Sequence, residues 1–133
     1  MNRYLYRAKR TDNGEWVEGY YCKRKTGRYT TTGFVEEYKD RIIREFSDGG
    51  ISWCYINPET ICRCTGLTDK NNNNIWENNI IKCGRDLMVV KWNDKSACWC
   101  LRKKGWMYDH FFNEACDPAD CEVVGNIFDN PIC

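Results

Sequence analysis

The sequence predicts a mainly β protein, and three observations carry the prediction. Apolar and polar residues alternate with a period of two near the N-terminus, and turn dipeptides interrupt the chain at short intervals. The stretch Pro58 to Ile81, PETICRCTGLTDKNNNNIWENNII, has the form strand, elaborate turn, strand. Within it, Thr60 to Thr65 carries β-branched residues at both ends, and Thr65-Gly66 and Asp69 to Asn74 concentrate turn chemistry. Ile75, Trp76, Ile80 and Ile81 then restore apolar character. The alternative is an α+β chain with one short helix near residues 36–46.

Taken in order, Arg3 to Arg10 places Tyr4, Tyr6 and Ala8 on one side and Arg3, Leu5 and Arg7 on the other. Asp12-Asn13-Gly14 follows, where Asn and Gly accept the positive φ of a tight turn, and Trp16 to Cys22 resumes a β-prone run. Residues 3–22 are therefore expected to form a hairpin turning at Asn13-Gly14. Lys23-Arg24-Lys25 with Thr26-Gly27 reads as an exposed basic turn, and Arg28 to Val35 as another strand. Glu36 to Phe46 is ambiguous, because Tyr38, Ile42, Ile43 and Phe46 fall near helical spacing. Ser47 to Gly50 is a turn, and Ile51 to Ile56 a short strand ending before Pro58. Farther on, Ile80 to Cys83, Leu87 to Trp92, Ala97 to Arg102 and Glu122 to Ile127 read as four short strands, a rhythm that suggests a small barrel. Trp106 to Phe112 is an aromatic plug for the barrel end or, alternatively, a stacking platform.

Composition narrows the class of object. A chain of 133 residues with 42% hydrophobic, 14% aromatic and 29% charged residues suits a folded domain, or two small subdomains sharing a core. No run approaches the ~20 apolar residues of a membrane span, and the opening MNRYLYRAKR lacks the apolar region of a signal peptide, so a cytoplasmic location is expected. Net charge is +1 but unevenly spread: Met1 to Arg28 carries eight Lys and Arg against three acids, whereas Gly105 to Cys133 carries six acids and no Lys or Arg. In a reducing compartment the ten cysteines are read chiefly as free thiols. The pairs Cys62/Cys64 and Cys98/Cys100 leave two alternatives open, a specific disulfide or, were their strands neighbours, a tetrahedral metal site.

The chain resembles the YopX family of small phage and prophage proteins in three segments that span almost its whole length. KRTDNGEWVEGYY is similar to the family's opening hairpin. PETICRCTGLTDKNNNNIWENNII resembles a signature of the form PET-x-G-x-x-TGL-x-DKNG-x-x-I-aromatic-EGDIV, and CEVVGNIFDNPIC resembles the closing EV-x-GNI-aromatic-DNP. Asn78-Asn79 stands where the family has Gly-Asp, and Asn74 follows a run of asparagines where a Gly is usual nearby; Asn is the non-glycine residue that best tolerates the left-handed region. The loss of a carboxylate at Asn79 argues against acid chemistry there. The resemblance implies an irregular β-rich N-terminal half, residues 1–57, and an SH3-like β-barrel in residues 58–133, together forming one YopX-like unit.

Nothing in the sequence forms a recognisable catalytic, cofactor or metal site. It holds one histidine, His110, and lacks a Gly-rich phosphate loop and a nucleophile elbow. The expected function is a phage- or prophage-encoded accessory protein in the bacterial cytoplasm. It would act as a non-catalytic module that binds a host or phage protein and associates with itself. Candidate contact residues are Lys23, Arg24, Lys25, Lys103, Lys104, Trp106 and Tyr108. A nucleic-acid-binding module is the alternative, with Lys9-Arg10, Lys23 to Lys25 and Arg102 to Lys104 on one face beside aromatics; the near-neutral total charge weighs against it.

Overall fold

The structure is a computed structural model that describes residues 4–130, so Arg3 of the opening strand and Cys133 lie outside the described residues. The chain divides into two compact units, Tyr4–Cys62 and one built from Arg63 onward.

The N-terminal unit is an antiparallel meander. Strand β1 (Tyr6–Lys9) pairs with β2 (Trp16–Thr30), β2 with β3 (Gly33–Glu45), and β3 with β4 (Ile51–Tyr55), giving the order β4-β3-β2-β1. The first hairpin turns as its sequence predicts. Gly14, at φ +73°, donates its N–H to the Arg10 carbonyl at 3.0 Å, and the Arg10 N–H bonds to Glu15 O at 2.9 Å. Ala8, Val17 and Ile42 project from one face and, with Ile56, form a small core flanked by Tyr6, Tyr21, Cys54 and Ile61. The sheet curls enough for Arg10 to bridge Ile56, with Thr11 N–H bonded to Tyr55 O at 3.1 Å and Asn57 N–H to Lys9 O at 2.8 Å.

The helical alternative falls away, and the expected basic turn is corrected. Residues 36–46 contain no helix, since Gly33–Glu45 is a strand whose alternation puts Ile42 in the core. Lys23 to Gly27 is not a turn either, because β2 runs straight through it to Thr30. Gly27 is small for a different reason: the Phe34 ring lies over it, where a Cβ would collide with the ring. The result is a two-stranded arm held by Lys25–Glu36 and Arg28–Glu37 ion pairs, each 2.9 Å, and by the Tyr29–Phe34 edge contact.

The C-terminal unit opens with β5 (Cys62–Thr68) and β6 (Asn74–Trp76), followed by β7 (Asn79–Cys83), β8 (Asp86–Asn93), β9 (Cys98–Arg102), β10 (His110–Phe111) and β11 (Glu122–Asn126). The last five form one antiparallel sheet in the order β10-β9-β8-β7-β11. The four short strands expected after residue 80 are all present, but the sheet does not close into the SH3-like barrel. Between β10 and β11 the chain forms a four-residue helix α1 (Phe112–Ala115) and a single 3-10 turn (Pro118–Asp120). Phe112, Cys116 and Cys121 of this connection are buried with Ile75, Ile81, Met88, Val90 and Leu101, so apolar packing by a connection covers the core instead of strand pairing.

Among the described cysteines Cys83 is bonded to Cys116, tying α1 to the end of β7. The disulfide thus lies outside both C-x-C pairs. Titration of the denatured, oxidised protein is expected to return two further thiols when reductant is added. Strand β5 pairs with β6 while β9 lies between β8 and β10, so the two C-x-C strands are not neighbours, as a four-thiolate site would require.

Candidate functional site

The polar residues of the central signature are consumed by the backbone. Asp69, 4% exposed, accepts bonds from the N–H groups of Asn71 and Asn73 on Oδ1 and Val123 on Oδ2, all at 2.9 Å. Burial alone would raise its carboxyl pKa, but the amides of Val123, Asn73 and Asn71 outweigh it and hold the pKa below the usual range. Thr65 Oγ1 donates to Ile75 O at 2.7 Å, and Asn79 Oδ1 accepts from Trp76 N–H at 2.7 Å. Asn126 Oδ1 receives the N–H groups of Phe128 and Asp129, each at 3.0 Å. Asn72 (φ +65°) and Asn78 (φ +69°) occupy the left-handed region, so the glycine substitute in the asparagine run is Asn72 rather than Asn74. These residues build the turn and secure it to β11.

Groups capable of chemistry are scattered. Burial pushes the thiols of Cys100 and Cys121 up to about 11, which keeps them protonated and poor as nucleophiles or ligands at neutral pH. Tyr21 donates its hydroxyl to Asp40, and its pKa is pushed up to about 12. Among the described residues no three His, Cys, Asp or Glu side chains converge as metal ligands. Among the described residues no helix is long and apolar enough to cross a membrane.

The predicted contact residues separate into two places. In the C-terminal unit, Lys103 Nζ lies 2.6 Å from Asp86 Oδ1, and Arg102 forms a two-pronged pair with Asp109 at 2.9 and 3.1 Å. That pair holds the Asp109 carboxyl below its ordinary pKa. Lys104 is exposed. Trp106 is half-buried against the core, 4.2 Å from the His110 ring, and Tyr108 lies on His110 at 5.5 Å. Part of the aromatic segment therefore is a plug, through Trp106 and Phe112. The rest is displayed: Met107 is 96%, Tyr108 72% and Phe111 51% exposed, and Tyr108 and Phe111 line a cleft of about 280 Å³ with Asp109, His110 and Glu114.

In the N-terminal unit, Lys23 and Lys25 fall on one face of β2 and Arg24 on the other. Register sets Arg24 directly across from Lys39, and Arg41 across from Cys22 and Tyr55, with Trp53 opposite Ile43. The outer sheet face thus gathers Arg24, Lys39, Arg41, Trp53 and Tyr55. Sequence reading missed all but Arg24; the one signal available was the alternation of Lys39-x-Arg41-x-Ile43 and Trp53-x-Tyr55.

Fold and side-chain placement together define a small, all-antiparallel β protein whose buried polar residues serve its own backbone. The chain belongs to the YopX family, whose model, YopX protein, matches residues 5–132, nearly the whole sequence. Membership points to a phage-type protein. No curated protein matches the chain.

Proposed function

We propose that this protein is a non-catalytic interaction module of the bacterial cytoplasm that engages a host or phage protein through its 106–111 loop. The observation that carries this reading is the display of Met107, Tyr108 and Phe111 on a loop fixed from within. Trp106 and Phe112 pack into the core and Asp109 is clamped by Arg102, so the backbone that carries the exposed side chains is held at both ends and in the middle. Exposed aromatic side chains such as Tyr108 and Phe111, with two torsions each, lose little entropy when covered and are usual anchors of protein interfaces, while Met107 adds adaptable apolar surface.

A second copy of the chain is a further candidate partner. The edge strand β4, ISWCY, carries no charge and no proline, and Ile51 on it is 70% exposed. Natural edges are commonly protected by such residues, and an unprotected one favours pairing with another strand.

The test uses tagged wild type and a Met107→Ser/Tyr108→Ser/Phe111→Ser variant with an unchanged thermal transition, each exposed to host lysate. A protein retained by wild type and lost by the variant is expected. Equal retention, or none, overturns the reading. Light scattering on the same wild-type sample counts chains, and a multiple of 15.8 kDa is the expected result for self-association.

A further inference from the structure

We infer that the outer face of the N-terminal meander is a second, independent binding site, and that its ligand is single-stranded nucleic acid. Charge pairing on the β2–β3 arm is incomplete. Lys25 and Arg28 each have a glutamate partner, Glu36 and Glu37. Arg24, Lys39 and Arg41 have no carboxylate partner among the described residues. Arg24 and Lys39 moreover face each other directly across the ladder, a like-charge juxtaposition that destabilises a sheet. Arg41, two residues from Lys39 on the same face, adds a third cation, and its buried Nε has no hydrogen-bond partner. A fold that sets three cations together with no internal counter-charge is arranged for an external anion.

Aromatic rings on the same face distinguish the kind of anion. Arg24 Cζ lies 5.9 Å and Arg41 Cζ 5.2 Å from the Trp53 ring centre, and Lys39 Nζ lies 5.1 Å from that of Tyr55. Trp53 and Tyr55 meet edge to face at 5.0 Å, and Trp53 remains 44% exposed. Farther along the same face, Arg7 Cζ stands 4.3 Å from the Trp16 ring centre. Cations interleaved with exposed rings on an open sheet match a polymer that offers a phosphate and a flat base at every repeat. An acidic peptide would satisfy the cations but has no base to stack. A duplex hides its bases, so it too would leave Trp53 unused. The near-neutral charge of the whole chain does not bear on this face, because the balancing acids of the arm are already engaged by Lys25 and Arg28.

The experiment measures anisotropy of a fluorescein-labelled 20-nucleotide oligodeoxythymidylate with the full-length protein. The 20-base-pair duplex and labelled poly-glutamate are run in parallel from 25 to 200 mM salt. Wild type is expected to prefer the single strand, with a log–log salt slope of about −2 for three neutralised phosphates. Arg24→Gln/Lys39→Gln, both at exposed positions, should flatten that slope by about 1.4. Trp53→Ala should weaken binding about tenfold through lost stacking, while Lys95→Gln on the C-terminal unit should leave it unchanged. The inference is overturned by no binding at 25 mM salt, by wild-type affinity and slope in the double variant, or by equal or tighter binding of the duplex. Poly-glutamate bound as tightly, with the same sensitivity to Trp53→Ala, also overturns it and reassigns the face to an acidic protein.

Discussion

Asp69→Ala is expected to cost the C-terminal unit roughly 3–5 kcal/mol in urea unfolding, because it strands the N–H groups of Asn71, Asn73 and Val123 together. A single hydrogen bond contributes only about 1 kcal/mol net, but a buried donor left without a partner costs about 1–3. Asp69→Asn keeps one acceptor oxygen and should lose less. The two variants also separate the acid response. Since the folded pKa lies below the unfolded value of about 3.9, the ionised carboxylate contributes stability in full above that value and loses it as pH falls through the folded pKa. Wild type should therefore show a component of acid destabilisation below about pH 4 that Asp69→Asn lacks. Identical acid profiles would show that the carboxylate is not the anchor.

Ile42→Ala should have an effect of comparable size on the other unit. Ile42 is fully buried in a core of which only Ala8, Val17, Ile42 and Ile56 are buried throughout. Truncating a buried Ile costs about 2–5 kcal/mol through lost transfer energy and the cavity left behind, and so small a core has few neighbours able to collapse into the space. Urea unfolding followed by amide exchange should show the loss in residues 4–62, with residues 63–130 less affected. Val35→Ala, at an exposed position on the arm, should stay within about 0.5 kcal/mol of wild type. Equal losses from the two substitutions would mean that the small core does not hold the meander.

Legibility in the sequence followed the distance over which each feature is decided. The turn at Asn13-Gly14 was legible because a turn dipeptide and the alternation around it are local, and the strands after residue 80 were legible for the same reason. Residues 36–46 were not, since Tyr38 and Ile42 stand four apart as on a helix while Ile42 and Arg41 alternate as on a strand. Pairing with β2 and β4 decides between them, and although both are the adjoining strands of the chain, the ladder that selects the strand lies outside the segment itself. Gly27 misled because glycine signals turns, whereas here it makes room for Phe34 across the arm. The barrel was inferred from strand rhythm, but closure depends on which edges meet, and the buried Phe112, Cys116 and Cys121 cover the core without that meeting. Of the candidate contact residues, Tyr108 was recognisable as an exposed aromatic beside turn residues. The Arg24, Lys39 and Arg41 cluster exists only through register, which no local pattern states.

Among the described residues β2 pairs with β3 alone from Tyr20 onward, and β3 pairs with β4 over Arg41–Glu45, so the ladder of residues 24–30 and 33–39 is a two-stranded ribbon. Seven residues of strand span roughly 24 Å, and at the ribbon's base Arg24 and Lys39 reach the Trp53 and Tyr55 rings of β4. Because neither core extends into it, the Thr31-Thr32 tip is a natural place to lengthen the chain: a fluorophore tag or an added epitope inserted there would leave both hydrophobic cores intact.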